Sequence, residues 1–323
     1  MGSCEQKNSL IMKSNRLVFL SFLVLISIVG FNARRKSPFT FRENTQGVEL
    51  LENGRPVFFY QREPRSLTNQ YVYNNYLHPL YSLTGDTLTE EFPEDHPHHR
   101  GIFWAWHQLY IGNQSVGDGW VMESIHQEVA DVKSGIQKNS ARLDLNVRWK
   151  SKLWQNGKPF VHEHTTIEVH LLQSDIRIID FEIALVALVP GVSIGGSDDE
   201  KGYGGFCTRI RLPDDMEFTS AGGKVIPQTL QIVAGSWMDF SASFGKSGKK
   251  SGLIILCHPS TPNYPAPWIL RQVTSTQNIV FPGRQRVNLS MDKPVVLRYR
   301  LVLHKGSALD VNIAQLKEQY DKI

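Results

Sequence analysis

The feature that most constrains this chain is its rhythm of short alternating segments, cut by clusters of Gly, Pro, Asn and Asp. Leu143, Leu145, Val147 and Trp149 alternate with Arg142, Asp144, Asn146 and Arg148. A period of two places the first set on one face of a strand and the second on the other, one face buried and one wet. Asn156-Gly157 follows, the favoured pair for a two-residue hairpin turn, so a return strand is expected through Val161, Glu163, Thr165, Ile167 and Val169. Ile176–Leu188 is richer in apolar residues and reads as a strand covered on both faces; Leu253–Cys257 and Val295–Leu303 read as further core strands. With no internal repeat and no long linker, this pattern predicts an all-β sandwich. One helix is expected near the end, where Leu309, Ile313, Leu316 and Tyr320 recur at helical spacing and Ser307 and Asp310 are placed as a capping box. It should pack against the sheet edge or rim. Residues 36–323 are expected to form a single domain.

The 323 residues are 41% hydrophobic, enough for a sizeable core. Ahead of the domain, Lys13 and Arg16 precede an apolar run from Leu17 to Phe31. That run is shorter than the roughly 20 residues of a spanning helix and suits the core of a secretory signal. Residues 1–33 are therefore read as a signal peptide or an uncleaved N-terminal anchor, and the location as periplasmic or secreted. The whole chain carries 35 basic and 31 acidic residues; the leader holds three of the basic and one of the acidic, so its removal leaves a charge of +2. No Lys/Arg block stands out in the remainder, and a nucleic-acid partner is not expected. Cys207 and Cys257 would be the cysteines left, each inside a strand-like run, and they read as two buried free thiols.

The chemistry concentrates in Asp95-His96-Pro97-His98-His99-Arg100-Gly101. Three imidazoles, a carboxylate and a guanidinium are costly to face into a core, so a cleft or rim is their natural place. An extended strand here would point His96 and His98 one way and His99 the other. Acid/base chemistry, metal ligation with His78, His164 or His258 as further donors, sugar binding, and a purely structural cluster all remain open. Phe103, Trp104, Trp106, Tyr110 and Trp120 crowd the same stretch, and flat aromatic rings match the apolar faces of sugars. Phe103 is expected in the core and at least one Trp on the surface. Glu163 shares a strand face with Val161 and Ile167, so it must pair or line a cavity; Asp239, between Trp237 and Phe240, is either a cleft carboxylate or a turn residue. Gly202, Gly204 and Gly205 fit close strand crossing or a bulge, since no Lys-Ser/Thr follows as in a phosphate loop. Lys201 and Arg209 could hold an acidic sugar or pair with Glu200 or Asp199.

Taken together, these blocks resemble the secreted bacterial family labelled "methane oxygenase PmoA". His98-His99-Arg100-Gly101 with Asp118 and Trp120 opens the likeness, followed by Glu200-Lys201-Gly202-Tyr203-Gly204-Gly205 with Arg209. Trp237-Met238-Asp239-Phe240-Ser241 comes next, then His258-Pro259 through Pro267-Trp268 with Arg271, and last Leu297-Arg298-Tyr299-Arg300-Leu301 with His304 and Gly306. The ordered set spans about residues 45–306. A membrane methane monooxygenase subunit needs several apolar spans, which this chain lacks, so the label reads as a naming error. The resemblance implies a β-supersandwich similar to galactose mutarotases. After Arg271 the sequence departs from the family pattern: Gln272–Val280 lacks the Tyr-Gly and Asn-Pro-Phe-Gly features, and only Phe281-Pro282-Gly283 is kept. One rim loop, and with it substrate choice, falls outside the resemblance.

The expected function is therefore an exported carbohydrate-active protein, an epimerase, lyase or hydrolase of mono- or oligosaccharides. His98 or His99 would act as acid/base, with Glu163 or Asp239 as the partner carboxylate. His78, Arg100, Trp106, Trp120, Lys201, Arg209, Trp237, His258, Trp268 and Arg271 would bind the sugar. No cofactor, metal or further membrane segment is assigned. The alternatives are a non-catalytic sugar-binding protein of the cell envelope, stacking on Trp104, Trp106, Trp120 and Trp268, and a His-ligated metal-dependent oxidoreductase.

Overall fold

The alternation that starts at Arg142 becomes the strand Ser140–Ser151, with Leu143, Leu145, Val147 and Trp149 buried and its polar residues turned outward. It pairs antiparallel with Val161–His170, Trp149 opposite Val161 and Leu143 opposite Ile167. A computed structural model describes residues 37–246 and 248–323; the leader and its expected signal or anchor lie outside the described residues. The hairpin is present, but its connection is wider than two residues. Gln155, Asn156 and Gly157 all take positive φ, and Phe160 hydrogen-bonds back to Trp149.

These two strands sit in a nine-stranded sheet, where they are followed toward the centre by Ile176–Ala187, Val295–Lys305 and Ser251–Cys257. Ile176–Ala187 buries alternate residues fully and the others by half, so its second face is only partly covered, with Ile176 and Ile178 packed against the helix cluster. An eight-stranded sheet contains Arg55–Gln61, Tyr76–Leu80, Ile102–Trp106, Gly204–Thr208 and Gln277–Val280 as consecutive members. A four-stranded sheet is built on Gln108–Ile111 and Val192–Gly195. The two large sheets face each other through interlocking aromatics. Trp104 meets Phe181, Phe206 meets Tyr299, and Trp106 meets Trp149, with ring centroids 6.4, 4.5 and 5.5 Å apart. The chain is thus an all-β sandwich with one short C-terminal helix.

The helix begins later than its spacing predicts. Ser307 and Asp310 do form the capping box, but on a single 3₁₀ turn, Ala308–Asp310. The α-helix Ile313–Tyr320 is capped separately by Asn312, whose side chain accepts from the Gln315 amide. Leu309 is left 95% exposed. Ile313, Leu316 and Tyr320 pack with Ile254, Leu256 and Val302, so the helix covers a sheet face and not its rim. Cys207 and Cys257 are buried free thiols in different sheets, and burial pushes the Cys257 thiol up to about 12.

What positions the site is the far side of the eight-stranded sheet. Within Ile102–Trp106, Ile102, Trp104 and Trp106 enter the core between the sheets, whereas Phe103 and Ala105 point the opposite way. They join Tyr73, Tyr76, Trp120 and Cys207 in a second, smaller apolar cluster. That cluster is the floor on which the histidine loop rests.

Candidate functional site

The histidine segment is a pair of tight turns and not a strand. Pro93 and Pro97 remove ladder donors, the His96 amide donates to the Pro93 carbonyl, and the His99 amide donates to the His96 carbonyl. The turn defeats the expected division into opposite faces. His96 stacks on His99 at 4.7 Å, and His98 stands edge-on to His99 at 4.5 Å, so all three rings form one cluster. Gly101 lets the chain leave this cluster into the sheet: its φ is +38°, and a Cβ there would lie 1.9 Å from the Leu77 carbonyl oxygen.

A cleft of about 410 Å³ opens over this cluster. His96, His98, His99 and His107 line one part of it, and Trp120, Tyr203, Lys201 and Arg271 another. Thr229, Thr274 and Ser275 complete the rim, the last two on the loop where the sequence leaves the family pattern. The walls come from distant stretches of chain: the loop before Ile102, the residue after Trp106, the turn after Gln114–Gly117, the glycine-rich entry to Gly204–Thr208, and the loop before Gln277.

Two of the imidazoles are held by carboxylates. His96 Nδ1 lies 2.6 Å from Asp95 and His107 Nδ1 lies 2.7 Å from Asp118. A carboxylate can only accept, so in each pair Nδ1 carries the proton and Nε2 is left for another partner. Asp118 is itself fixed by the amides of Trp120 and Val121, at 2.7 and 3.2 Å. Asp95 receives a two-pronged bond from Arg209, at 2.9 and 2.7 Å, and the Ser275 amide at 3.0 Å. Burial pushes the Asp95 carboxyl up, but the bonds from Arg209, His96 and Ser275 outweigh it and hold the group well below the usual carboxylate range.

His98 and His99 have no carboxylate. Burial, followed by the neighbouring His96, Arg100 and His107, lowers His98 to about 4, against a smaller opposing pull from Asp118. Burial, then His98, His96, Arg209 and Arg100, lowers His99 to about 2. Both rings are therefore neutral near pH 7. His107 stacks on Trp120 at 5.0 Å, and Tyr203 flanks the same indole at 5.5 Å. Among the described residues, no group of three or more His, Cys, Asp or Glu is arranged to hold a metal ion.

Of the residues singled out from the sequence, the cleft gathers His98, His99, Trp120, Lys201 and Arg271. The others lie elsewhere, for definite reasons. Glu163 is wholly buried between the sheets and pairs rather than lining a cavity. Asn75, Trp104 and Thr165 donate to Oε1, and Trp149 donates to Oε2, at 2.8 to 3.0 Å. Burial raises its carboxyl against the pull of those bonds. Asp239 is equally sealed, accepting from Ser241 and bonded to His304 Nε2 at 2.7 Å. Neither meets the histidine cluster, so neither is the partner carboxylate. The carboxylates beside the cluster are Asp95, bonded to His96, and Asp118, bonded to His107.

The tryptophans expected as stacking surfaces are mostly core. Trp104, Trp106 and Trp268 are at most 1% exposed, and the indole N–H of the last two donates to Phe281 and Gly235 carbonyls. Trp120 is 3% exposed, so none of the three Trp in the histidine stretch lies on the open surface; Phe103 is core as expected. Trp237 and His258 belong to the helix side, His258 edge-on to Tyr320 at 5.0 Å. His78 bonds to Thr89 at 3.0 Å, and burial with Arg65 and Arg211 lowers it to about 4. Arg209 forms an ion pair, with Glu90 and Asp95 instead of Asp199 or Glu200. Arg100 lies under the floor, 1% exposed. The glycines behave as expected of close crossings: a Cβ on Gly205, whose φ is +99°, would lie 2.7 Å from the Ile279 carbonyl oxygen.

His107 and Tyr203 were not singled out as site residues. Parity alone could have found His107, since it follows Phe103 and Ala105 at a spacing of two. Tyr203 carried no signal beyond its place among the glycines.

Among the described residues no helix is long and apolar enough to cross a membrane. No curated protein matches the chain. Solved structures do match; one, the crystal structure described as that of "a putative mutarotase (YeaD)" from Salmonella typhimurium, is 8% identical with a TM-score of 0.30, covering 83% of this chain and 94% of that one. A family model described as a family of unknown function (DUF6807) matches residues 47–318, and the chain belongs to that family.

Proposed function

We propose that this chain is an exported carbohydrate-active enzyme that moves a proton at a mono- or oligosaccharide held in the histidine cleft. The observation that carries the reading is the meeting of four imidazoles on one cleft, three from the turns before Gly101 and one from His107 beyond the next strand, two of them oriented through Nδ1 by carboxylates. His98, neutral and partly exposed, is positioned to accept a proton; His96 and His107, with Nδ1 held by carboxylates, offer Nε2 to accept a hydrogen bond from a substrate hydroxyl. Tyr203, half-buried on the wall and backed by Trp120, supplies apolar ring surface beside these polar groups, the combination a sugar requires. The likeness to the family labelled "methane oxygenase PmoA", and through it to galactose mutarotases, supports the same class. Export rests on the leader, read as a signal peptide or anchor ahead of a single domain over residues 36–323.

Incubating the full chain with a broad glycan panel tests this, alongside His98→Gln. Turnover by the unaltered chain and its loss in the variant, at an unchanged melting temperature, is the expected result. Binding without turnover in both would favour a sugar-binding role instead. Full turnover in the variant would remove His98 from the chemistry.

A further inference from the structure

We infer that the sugar taken by this cleft is anionic, carrying a carboxylate or a sulfate or phosphate ester that supplies the negative charge the walls lack. The inference rests on the sugar-processing reading above and narrows it.

The charges around the cleft do not balance. The carboxylates nearest to it are already committed: Asp95 to Arg209, His96 and Ser275, and Asp118 to His107 and two backbone amides. Neither is part of the lining, which contains no Asp or Glu. Lys201 lines the wall and, among the described residues, has no carboxylate within 4.0 Å; Asp199, outside the lining, feels its charge from further away. The Arg271 guanidinium donates to the carbonyls of Gln228, Leu270 and Thr229 at 2.7, 2.9 and 3.0 Å. Those bonds hold its charge in place without neutralising it.

A third cation lies directly beneath. Four arginines of the described residues are deeply buried, and three have carboxylates: Arg177 pairs with Glu52, Arg209 with Glu90 and Asp95, and Arg300 with Asp180. Arg100 is the exception. It lies between the rings of Tyr73 and Phe103, 3.9 and 4.4 Å from their centroids. It donates only to the carbonyls of His98 and Trp120, and its Nε has no partner. Buried guanidinium groups are ordinarily matched by a counter-charge. Here the match is absent, and the opening above lies between this cation and two more. Beside burial, which is the largest cause, the low values of His98 and His99 carry the pull of the same neighbouring cations, Arg100 on both and Arg209 on His99. A bound anion would lift both toward neutrality, where proton transfer is more effective.

The test is calorimetric titration of the full chain with glucose, glucuronate, glucose 6-sulfate and glucose 6-phosphate, and with galactose and galacturonate. Sodium acetate and sulfate alone serve as further probes. We expect at least one anionic sugar to bind about tenfold or more tightly than its neutral parent, with the preference shrinking as salt is raised. Lys201→Gln and Arg271→Gln should each weaken binding of the anionic sugar severalfold more than binding of its neutral parent. Arg271 also ties down the 228–229 carbonyls, so Lys201→Gln, on a partly exposed side chain, is the variant that isolates charge from folding. The ester and carboxylate arms identify which anion is meant. Neutral sugars binding as tightly as their anionic counterparts would overturn the inference and leave the sugar reading standing. Acetate or sulfate binding as well as any anionic sugar would overturn both, as would no binding by any member.

Discussion

The buried interior and the cleft each hold Asp–His pairs at nearly the same distance. Asp239 and His304 lie 2.7 Å apart, buried on the helix side of the nine-stranded sheet; Asp95–His96 and Asp118–His107 lie 2.6 and 2.7 Å apart beside the cleft. In the buried pair both ring nitrogens are engaged, Nε2 by Asp239 and Nδ1 by the Lys305 carbonyl, and Gly252 has no side chain because a Cβ would lie 2.3 Å from Nε2. In the cleft pairs only Nδ1 is engaged. A histidine with both nitrogens satisfied by protein holds strands together. One with a nitrogen to spare can meet a ligand. Residue identity and pairing distance do not separate structure from chemistry here; the second nitrogen does.

The contrast can be broken most forcefully in the core. Glu163→Ala would leave four buried donors on Asn75, Trp104, Trp149 and Thr165 without an acceptor. At about 1–3 kcal/mol for each orphaned group, we expect a loss above about 4 kcal/mol, read as failure to fold or a steep fall in chemical-denaturation midpoint. Retention of native stability would show that these bonds are replaceable. His304→Ala should cost about 3–5 kcal/mol by stranding the Asp239 carboxyl, with no dependence on any sugar ligand.

The cleft pairs should behave in the opposite way. Asp118→Asn removes the group that fixes His107, and we expect turnover to fall on the order of tenfold to a hundredfold while the melting temperature moves by a few degrees at most. A stability loss equal to that of His304→Ala would place Asp118 with the structural pairs. The smallest effect concerns pH. His78 and His98 are lowered to about 4 and His99 to about 2 from the ordinary 6.5, so in that window the unfolded chain binds protons that the folded chain refuses. Stability contributed by these rings is complete above pH 6.5 and declines as pH falls toward about 4 for the first two and lower for His99. Melting temperature against pH should show that slope, and His98→Gln should flatten part of it. An unchanged slope in the variant would mean that His98 titrates normally.

The fold was legible because alternation is a local property. The burial of Leu143, Leu145, Val147 and Trp149 follows from a period of two, and so does the inward face of Glu163. Covering on both sides was legible only in part: Ile176–Ala187 buries alternate residues fully, and its outer face is half-buried, Ile176 and Ile178 against the helix cluster and Asp180 and Glu182 in ion pairs with Arg300 and Arg298. The helix start slipped for a similar reason. Ser307 and Asp310 cap a short turn, and the backbone becomes extended again at Val311 before Asn312 starts the true helix.

By itself the sequence determined the sandwich class, the strands and their inward faces, and the concentration of imidazoles before Gly101. These depend on near neighbours, whose geometry the backbone period dictates. Which carboxylates serve those imidazoles was decided only in three dimensions. Glu163 and Asp239 share the composition of catalytic acids but are sealed on opposite faces of one nine-stranded sheet, Glu163 toward the sandwich core and Asp239 toward the helix side. Asp95 and Asp118 reach the cleft through turns, and Tyr203, Lys201 and Arg271 arrive from segments a hundred residues or more further on. No local pattern encodes such a meeting, because it depends on strand order across a sheet and on which of its two faces each loop folds over.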